Sequence, residues 1–288
     1  MGFGAGVLWL KRTNQPTIPT NQPMKLNALL KTAGFLALAA SPALAGSSGK
    51  VVAPQVVEEP SSDLGITASL GYDTNFIFRG VEFAEHWISG GVALDIPLVD
   101  NISFVGGASY GVSADDNAVA DLLSGVSYQR LELNGGLSVD LGAFELGAGY
   151  RYYNHQGDLS NVLEDGHEVG LTLATTAGPL NFGLGGYYDF AIEGWYFQAA
   201  VNSVIEITES ISLVPGVSVG YAQDYSWHVI GAQTSGFTAV NLSLALPIKL
   251  TKYATLSPYV AGNLPIDALD DAGEEAAIFG GVKLSVAF

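Results

Sequence analysis

Polar and charged side chains recur at alternate positions within otherwise apolar or small-residue segments of this chain. They are Asp73, Asn75 and Arg79, then Asp95, Arg130 and Glu132, Glu145 and Arg151, and finally Glu168, Asp189, Glu206 and Lys283. A spacing of two puts such residues on one face of a β-strand. Thr67, Ser69, Gly71, Asn134, Gly136, Ser138, Gly147, Gly149 and Tyr153 share those faces. A surface of this kind could line a water-filled space and set the field felt by a passing ion. It could equally close on itself as a network of ion pairs, and for any single charge a local pair is as good a reading as a solute contact. Other chemistry finds less support. A hydrolase needs a nucleophile and a base within hydrogen-bond reach, and no motif pairs a Ser with one of the histidines. His86, His155, His167 and His228 show no metal-ligand spacing and fall in or beside expected loops. The acidic run Asp267, Asp270, Asp271, Glu274 and Glu275 offers oxygen ligands but lacks EF-hand spacing, so a solvated loop is expected there. Neither a metal nor a cofactor is expected, and the chain does not read as an enzyme.

The opposite face of each segment is apolar. At the C-terminus Ile278, Gly280, Val282, Leu284, Val286 and Phe288 alternate with Phe279, Gly281, Lys283, Ser285 and Ala287. Twelve such alternating segments are expected between residues 65 and 288, the first two over 65–82 and 87–97. Most reach the ~9–11 residues that a tilted transmembrane strand requires. Charges facing lipid would cost about 2–4 kcal/mol at the midplane for Arg or Lys, so the charged face must turn inward. Connections alternate in length. Those after the even segments are short, as at Leu141-Gly142, Gly178 and Thr208-Glu209. Four of the others are long and acidic, at roughly 113–126, 155–166, 222–236 and 264–275. Tyr110, Tyr150, Tyr152, Tyr188, Trp195 and Tyr221 fall at the long-loop ends of the apolar faces; Phe104, Phe144, Phe182 and Phe288 fall toward the short-turn ends. Short turns, long loops and two aromatic girdles are expected of an all-β, transmembrane, antiparallel up-and-down β-barrel of about 12 strands. A soluble β-protein with an aromatic core is the alternative, and it leaves the loop asymmetry unexplained.

Composition agrees. Mean hydropathy is +0.30 with only 14% charged residues, yet beyond the N-terminal region no apolar run is long enough for a spanning helix. There is no Cys, which excludes disulfides and thiolate metal sites. A net charge of −17 excludes a general nucleic-acid-binding surface. Near the start, Lys25 and Lys31 precede the apolar stretch 32–40, followed by Ser41, Pro42 and Ala43-Leu44-Ala45. That pattern predicts a signal peptide over 24–45, with Ala43 and Ala45 marking a cleavage site before Gly46. Residues 1–23 then read as an over-extended start, or alternatively as a long basic leader carrying Lys11 and Arg12. Residues 46–64 read as a flexible periplasmic lead-in to the barrel at 65–288.

Strand one contains Tyr72-Asp73-Thr74-Asn75 followed by Phe78-Arg79-Gly80, and the second segment reads Trp87-Ile-Ser-Gly-Gly-Val-Ala-Leu-Asp95. An aromatic-Arg-Gly element leading into a Gly-rich second strand resembles the opening of the TorF-type porins. The likeness covers about thirty residues and departs in its first half, where Tyr72 to Asn75 replace a Ser-Asp-Tyr element. It implies an outer-membrane barrel with a porin role and does not supply a substrate. A terminal Phe288 likewise resembles the assembly signal of outer-membrane barrels, which implies dealings with lipid and with the barrel-assembly machinery. Barrel width grows with strand number, and the many inward Gly, Ser and Ala residues favour a narrow pore. Inward acids outnumber inward bases, so small neutral or cationic solutes are expected to pass. A structural or surface-interaction barrel without an open pore is the alternative function, and an outer-membrane hydrolase a distant one. Oligomeric state is not legible.

Overall fold

The structure is a computed structural model that describes residues 64–114, 126–161, 163–227 and 232–288. The expected signal peptide, its cleavage site and almost all of the lead-in lie outside the described residues, as does His228. The strands are β1 (Ile66–Phe78), β2 (Val81–Val99), β3 (Ile102–Ser113), β4 (Tyr128–Asp140), β5 (Phe144–Gly157), β6 (Gly166–Ala177), β7 (Leu180–Asp189), β8 (Gly194–Ser203), β9 (Ile205–Thr208), β10 (Ile211–Trp227), β11 (Ala232–Ala245), β12 (Ile248–Lys249), β13 (Ala254–Pro265) and β14 (Ala277–Ala287). The short β9 and β12 prolong β8 and β11, so the wall has 12 staves, all antiparallel. Each stave pairs with its chain neighbour, and β14 returns to β1 through Thr67↔Ala287 to Asp73↔Gly281. Closure leaves no free sheet edge, the condition under which strands can cross a hydrocarbon layer.

Alternation holds around the wall. Leu70, Val92, Leu133, Leu171, Leu184, Val217, Leu242 and Val260 stand exposed on the outer face. Tyr110, Tyr150, Trp195 and Tyr221 are exposed toward the long-loop ends, and Phe144, Phe182 and Phe288 toward the short-turn ends. Val282 faces outward while Lys283 is buried inside, the register expected for the last strand. Phe288 closes the seam, its N–H donating to the Ile66 carbonyl at 2.9 Å.

The first hairpin departs from expectation. Its turn falls at Arg79-Gly80, not near 83–86, and both residues have positive φ (55° and 95°) with Phe78 paired to Val81. Two successive positive φ values make a tight two-residue hairpin turn matched to strand twist. Pairing of β1 with β14 stops at Asp73, although β14 runs on to Ala277; pairing of β2 with β3 begins only at Trp87. Between these limits the hairpin pairs only with itself. A register shift at Phe76/Ile77 leaves Phe83 as the extra residue, and His86, three residues on in the same strand, has φ 46°. A bulge of this kind bends the strand that carries it. Above the bend Phe76, Ile77 and Phe78 are consecutively buried, at 0%, 0% and 6% exposure. A wall strand must alternate, so three buried residues in a row mean that both faces of this hairpin lie inside the protein. The tip is folded into the lumen. A second departure concerns 222–236, expected as loop: β10 and β11 continue their ladder to Trp227↔Ala232.

Candidate functional site

The hairpin tip crosses the barrel. From β1 and β2, six staves around the wall lead to β7 and β8, and that far wall is where Arg79 docks. Its Nη1 donates to the Tyr225 hydroxyl on β10 at 2.6 Å, and its Nη2 pairs with the Glu168 carboxylate on β6. The guanidinium carbon lies 4.5 Å from the Tyr196 ring centre, 5.2 Å from Tyr225, 5.4 Å from Tyr187 and 5.0 Å from Phe78. Each such contact is attractive because a ring face carries negative quadrupolar charge, and Arg exploits it better than Lys because its planar group stacks. A non-glycine residue in left-handed backbone costs roughly 1–2 kcal/mol. Arg79 is held there by contacts that only a long, forked cation reaching the far wall can make.

Beside it the hairpin's Phe76, Phe78 and Phe83 pack into inward aromatics. Phe76 stacks on Trp87 at 4.4 Å, Phe78 meets Tyr153 edge-on at 5.5 Å, and Phe83 lies 5.7 Å from Tyr128. Arg130 covers Phe78 and Tyr153 at 4.2 and 4.0 Å. On the remaining side Asn263 donates from Nδ2 to the Gly80 carbonyl at 2.8 Å. Leu269, on the short helix α1 (Ala268–Asp271), is fully buried, and the position a Gly80 Cβ would take lies 2.7 Å from it. Any side chain at residue 80 would therefore collide with this cap as well as strain the turn.

The expected inward charges sort into distinct groups. Arg130, Glu132, Arg151 and Glu168 form one connected network with Arg79: Arg130–Glu132 at 3.2 Å, Arg151–Glu132 at 3.1 Å and Arg151–Glu168 at 3.6 Å. Asp189 lies beside it, opposite Glu168 in the β6–β7 register. Asp73 sits apart on β1, accepting from the Tyr259 hydroxyl, with Lys283 on the adjacent strand opposite Gly71. Asn75 donates to Glu82 at 2.9 Å within the hairpin. Glu145 accepts from Ser138 at 2.5 Å near the short-turn end, where Asp95 is also buried. Glu206 differs from expectation: it is exposed on β9, whose four residues are all exposed, and does not line the lumen. Its alternate spacing fits the inward set, but β9 prolongs β8 past the enclosed part of the wall.

What the charged residues did not reveal is the aromatic lining. Tyr128, Tyr187, Tyr196, Tyr225 and Tyr259 all point inward and are buried. Tyr128, Tyr187, Tyr196 and Tyr259 stand on the inward spacing of their strands, two residues before Arg130 in one case and two before Asp189 in another, whereas Tyr225 turns inward only through the register shift after Ala222. Tyrosines facing a lumen at successive staves are a signal that something packs against them.

The short-turn half of the lumen differs. Its inward side chains are Ser69, Ser138, Thr172, Asn181, Gln198, Asn202, Ser218 and Asn241, with glycines between. Asn181 donates to Asn202 at 2.9 Å. At the other rim the expected loop histidines pair with tyrosines of adjacent strands: Tyr72–His86 and Tyr128–His155 at 2.7 Å, Tyr150–His167 at 2.5 Å. Among the described residues no group of His, Cys, Asp and Glu is arranged to hold a metal ion.

Outside the strands, the Glu274 side chain faces the hairpin. Burial pushes its carboxyl up to about 7; the neighbouring Glu82 carboxylate pushes the same way, and the Glu82 N–H hydrogen bond opposes both. Asp158, exposed at the rim, is held below its ordinary value by the N–H and hydroxyl of Ser127 at 2.9 and 3.0 Å.

No family model matches the chain, and no curated protein matches its sequence. Among solved structures, the COG4313 outer membrane channel from Pseudomonas putida F1 is similar at 11% identity and a TM-score of 0.54, covering 78% of this chain and 96% of that one. A KdgM porin (9% identity, 77% and 99% coverage, TM-score 0.46) and a NanC porin (10%, 77% and 98%, 0.46) also align. The fold shared with the COG4313 channel is a closed antiparallel β-barrel.

Proposed function

We propose that the protein is an outer-membrane channel for small neutral or cationic solutes, closed in this conformation by its own first hairpin. The observation that carries this reading is the hairpin itself. It is set across the lumen by a bulge, tipped with a strained Arg, and fastened by one ion pair to the far wall. A residue in costly backbone geometry is a motive to look for a function, and a removable obstruction is the function that this position suggests. The resemblance of the opening strand to the TorF-type porins, carried by Phe78-Arg79-Gly80, supports the same reading. Acids exceed bases on the inward face, which supports cations over anions once the lumen is open. Insertion would proceed through the barrel-assembly machinery, with Phe288 as part of the signal.

The second reading is a structural or surface-interaction barrel without a pore, favoured by the same burial: a network this fully packed could simply be the core. Planar-bilayer recording separates the two. Arg79→Gly keeps the turn, because Gly adopts positive φ without strain, and removes the far-wall tether. Wild type should conduct rarely and in brief events; Arg79→Gly should conduct more often, with a modest cation preference that shrinks as salt rises. Silence from both proteins, each folded by the criterion of heat-modifiable gel migration, rejects the channel in favour of the structural barrel.

A further inference from the structure

The far wall treats Arg79 as a ligand. The carboxylate of Glu168, the hydroxyl of Tyr225 and the faces of Tyr196, Tyr187 and Tyr225 come from four staves, β6, β7, β8 and β10, and none belongs to the hairpin that supplies the cation. Charge accounting at the site points the same way. With the hairpin docked, Arg79, Arg130 and Arg151 face Glu132, Glu168 and Asp189, three against three. Withdrawing the hairpin removes one base and no acid from this cluster. A pocket of aromatic faces with an excess carboxylate recognises a flat cation. The site also holds an unspent group: the Tyr187 hydroxyl is buried, with no hydrogen-bond partner among the described residues, on the ring facing the guanidinium.

We infer that Glu168, Tyr187, Tyr196 and Tyr225 form a binding site for guanidinium-bearing small molecules, and that Arg79 is the built-in occupant that such a molecule replaces. The inference deepens the proposed function by naming a solute class, and its transport consequence rests on that reading; binding does not. A guanidinium compound entering from the long-loop side competes with Arg79 for Glu168, so ligand binding and hairpin release become one exchange. An ammonium ion fits less well. It lacks the flat face that lies against Tyr196 and the fork that reaches Glu168 and Tyr225 together.

The test uses the full barrel refolded in detergent, with Arg79→Gly to empty the site and methylguanidinium at millimolar concentration as probe. Calorimetric titration should show saturable binding to Arg79→Gly, at least tenfold weaker binding of methylammonium, and binding to wild type weakened at least tenfold by the resident Arg79. Tyr225→Phe in the Arg79→Gly background should weaken binding severalfold, and Glu168→Gln should abolish it. Should Glu168→Gln fail to fold, the Tyr225→Phe and methylammonium comparisons carry the test. Absence of saturable binding to folded Arg79→Gly overturns the inference, as does equal binding of the two cations or undiminished binding to wild type. Conductance is read separately. A variant that conducts without binding refutes this site and keeps the channel; one that binds without conducting keeps the site and refutes the channel.

Discussion

The two halves of the lumen are built on opposite plans. Toward the long loops the inward positions carry Tyr, Arg and Glu, and a hairpin from the same chain packs into them until the side chains are buried. Toward the short turns the same strands carry Ser, Thr, Asn, Gln and Gly, which fill less of the barrel. β6 shows the change within one strand: Glu168 grips the plug, and Thr172, one inward step past Gly170, does not. Charge in this barrel is therefore concentrated where it is paired, and the short-turn half is built mainly from small neutral side chains, with Asp95 and Glu145 the acids near its end. Of the inward charges read from the sequence, Arg79, Arg130, Glu132, Arg151 and Glu168 join in the network that holds the hairpin inside the barrel.

The largest expected effect follows from that concentration. Glu168→Ala removes the acid shared by Arg79 and Arg151 and leaves two buried guanidinium groups short of a partner. Breaking a buried pair from one side costs about 3–5 kcal/mol. Asn202→Ala, in the other half, deletes one neutral hydrogen bond to Asn181 and should cost about 1 kcal/mol. Urea unfolding of the barrel in lipid vesicles measures both. Equal costs would erase the distinction between the halves.

The next effect sharpens the contrast by comparing the inner face with the outer. Leu171 is 68% exposed on the lipid side of β6, and Thr172 beside it faces the short-turn half of the lumen. Leu171→Arg should lose about 2–4 kcal/mol, the cost of a base near the bilayer midplane. Thr172→Arg should lose clearly less, because the inward side chains around it are small and polar and can hydrogen-bond a guanidinium. A Thr172→Arg cost as large as that of Leu171→Arg would mean that the short-turn half is also packed solid.

These contrasts also show what the sequence made legible. Alternation, turn length and girdle aromatics identify the barrel, the stave number and the face of almost every wall residue, because each wall strand has lipid on one side and lumen on the other. That rule fails at Phe76-Ile77-Phe78, where a strand leaves the wall and is covered on both faces. Read as one long strand to residue 82, the segment hides its turn. The signals were present: Arg79-Gly80 as a two-residue turn, and inward Tyr128, Tyr187 and Tyr196, which need a packing partner; Tyr225 gave no such signal, because a register shift after Ala222 turns it inward. The partner itself is a contact across the lumen, and no local spacing encodes it. The pairing of Arg79 with Glu168 across 89 residues is of that kind. Arg130 with Glu132, two residues apart on one strand, was within reach of the sequence.

The smallest expected effect tests whether the packed half is fixed or adjustable from outside. Glu274, in the loop before β14, accepts from the Glu82 N–H while facing the Glu82 carboxylate, and its carboxyl is raised to about 7. Undocked, it would titrate near the ordinary Glu value of about 4.3. A raised acid binds its proton more tightly in the docked state, so docking is favoured at low pH. That contribution is whole below about pH 4, declines as pH climbs toward 7 and is gone above it. Ionised Glu274 then stands against Glu82 with only one N–H to hold it. Because the group is partly exposed, solvent screening leaves roughly 1 kcal/mol or less of this coupling. Hydrogen exchange over residues 266–276 and 79–85 should therefore quicken severalfold from pH 5.5 to 8, beyond the intrinsic dependence of exchange on pH. Glu274→Gln should remove the excess. A wild type whose corrected exchange is flat across that range would leave the hairpin coupled to the far wall alone, with no control from the loop that covers it.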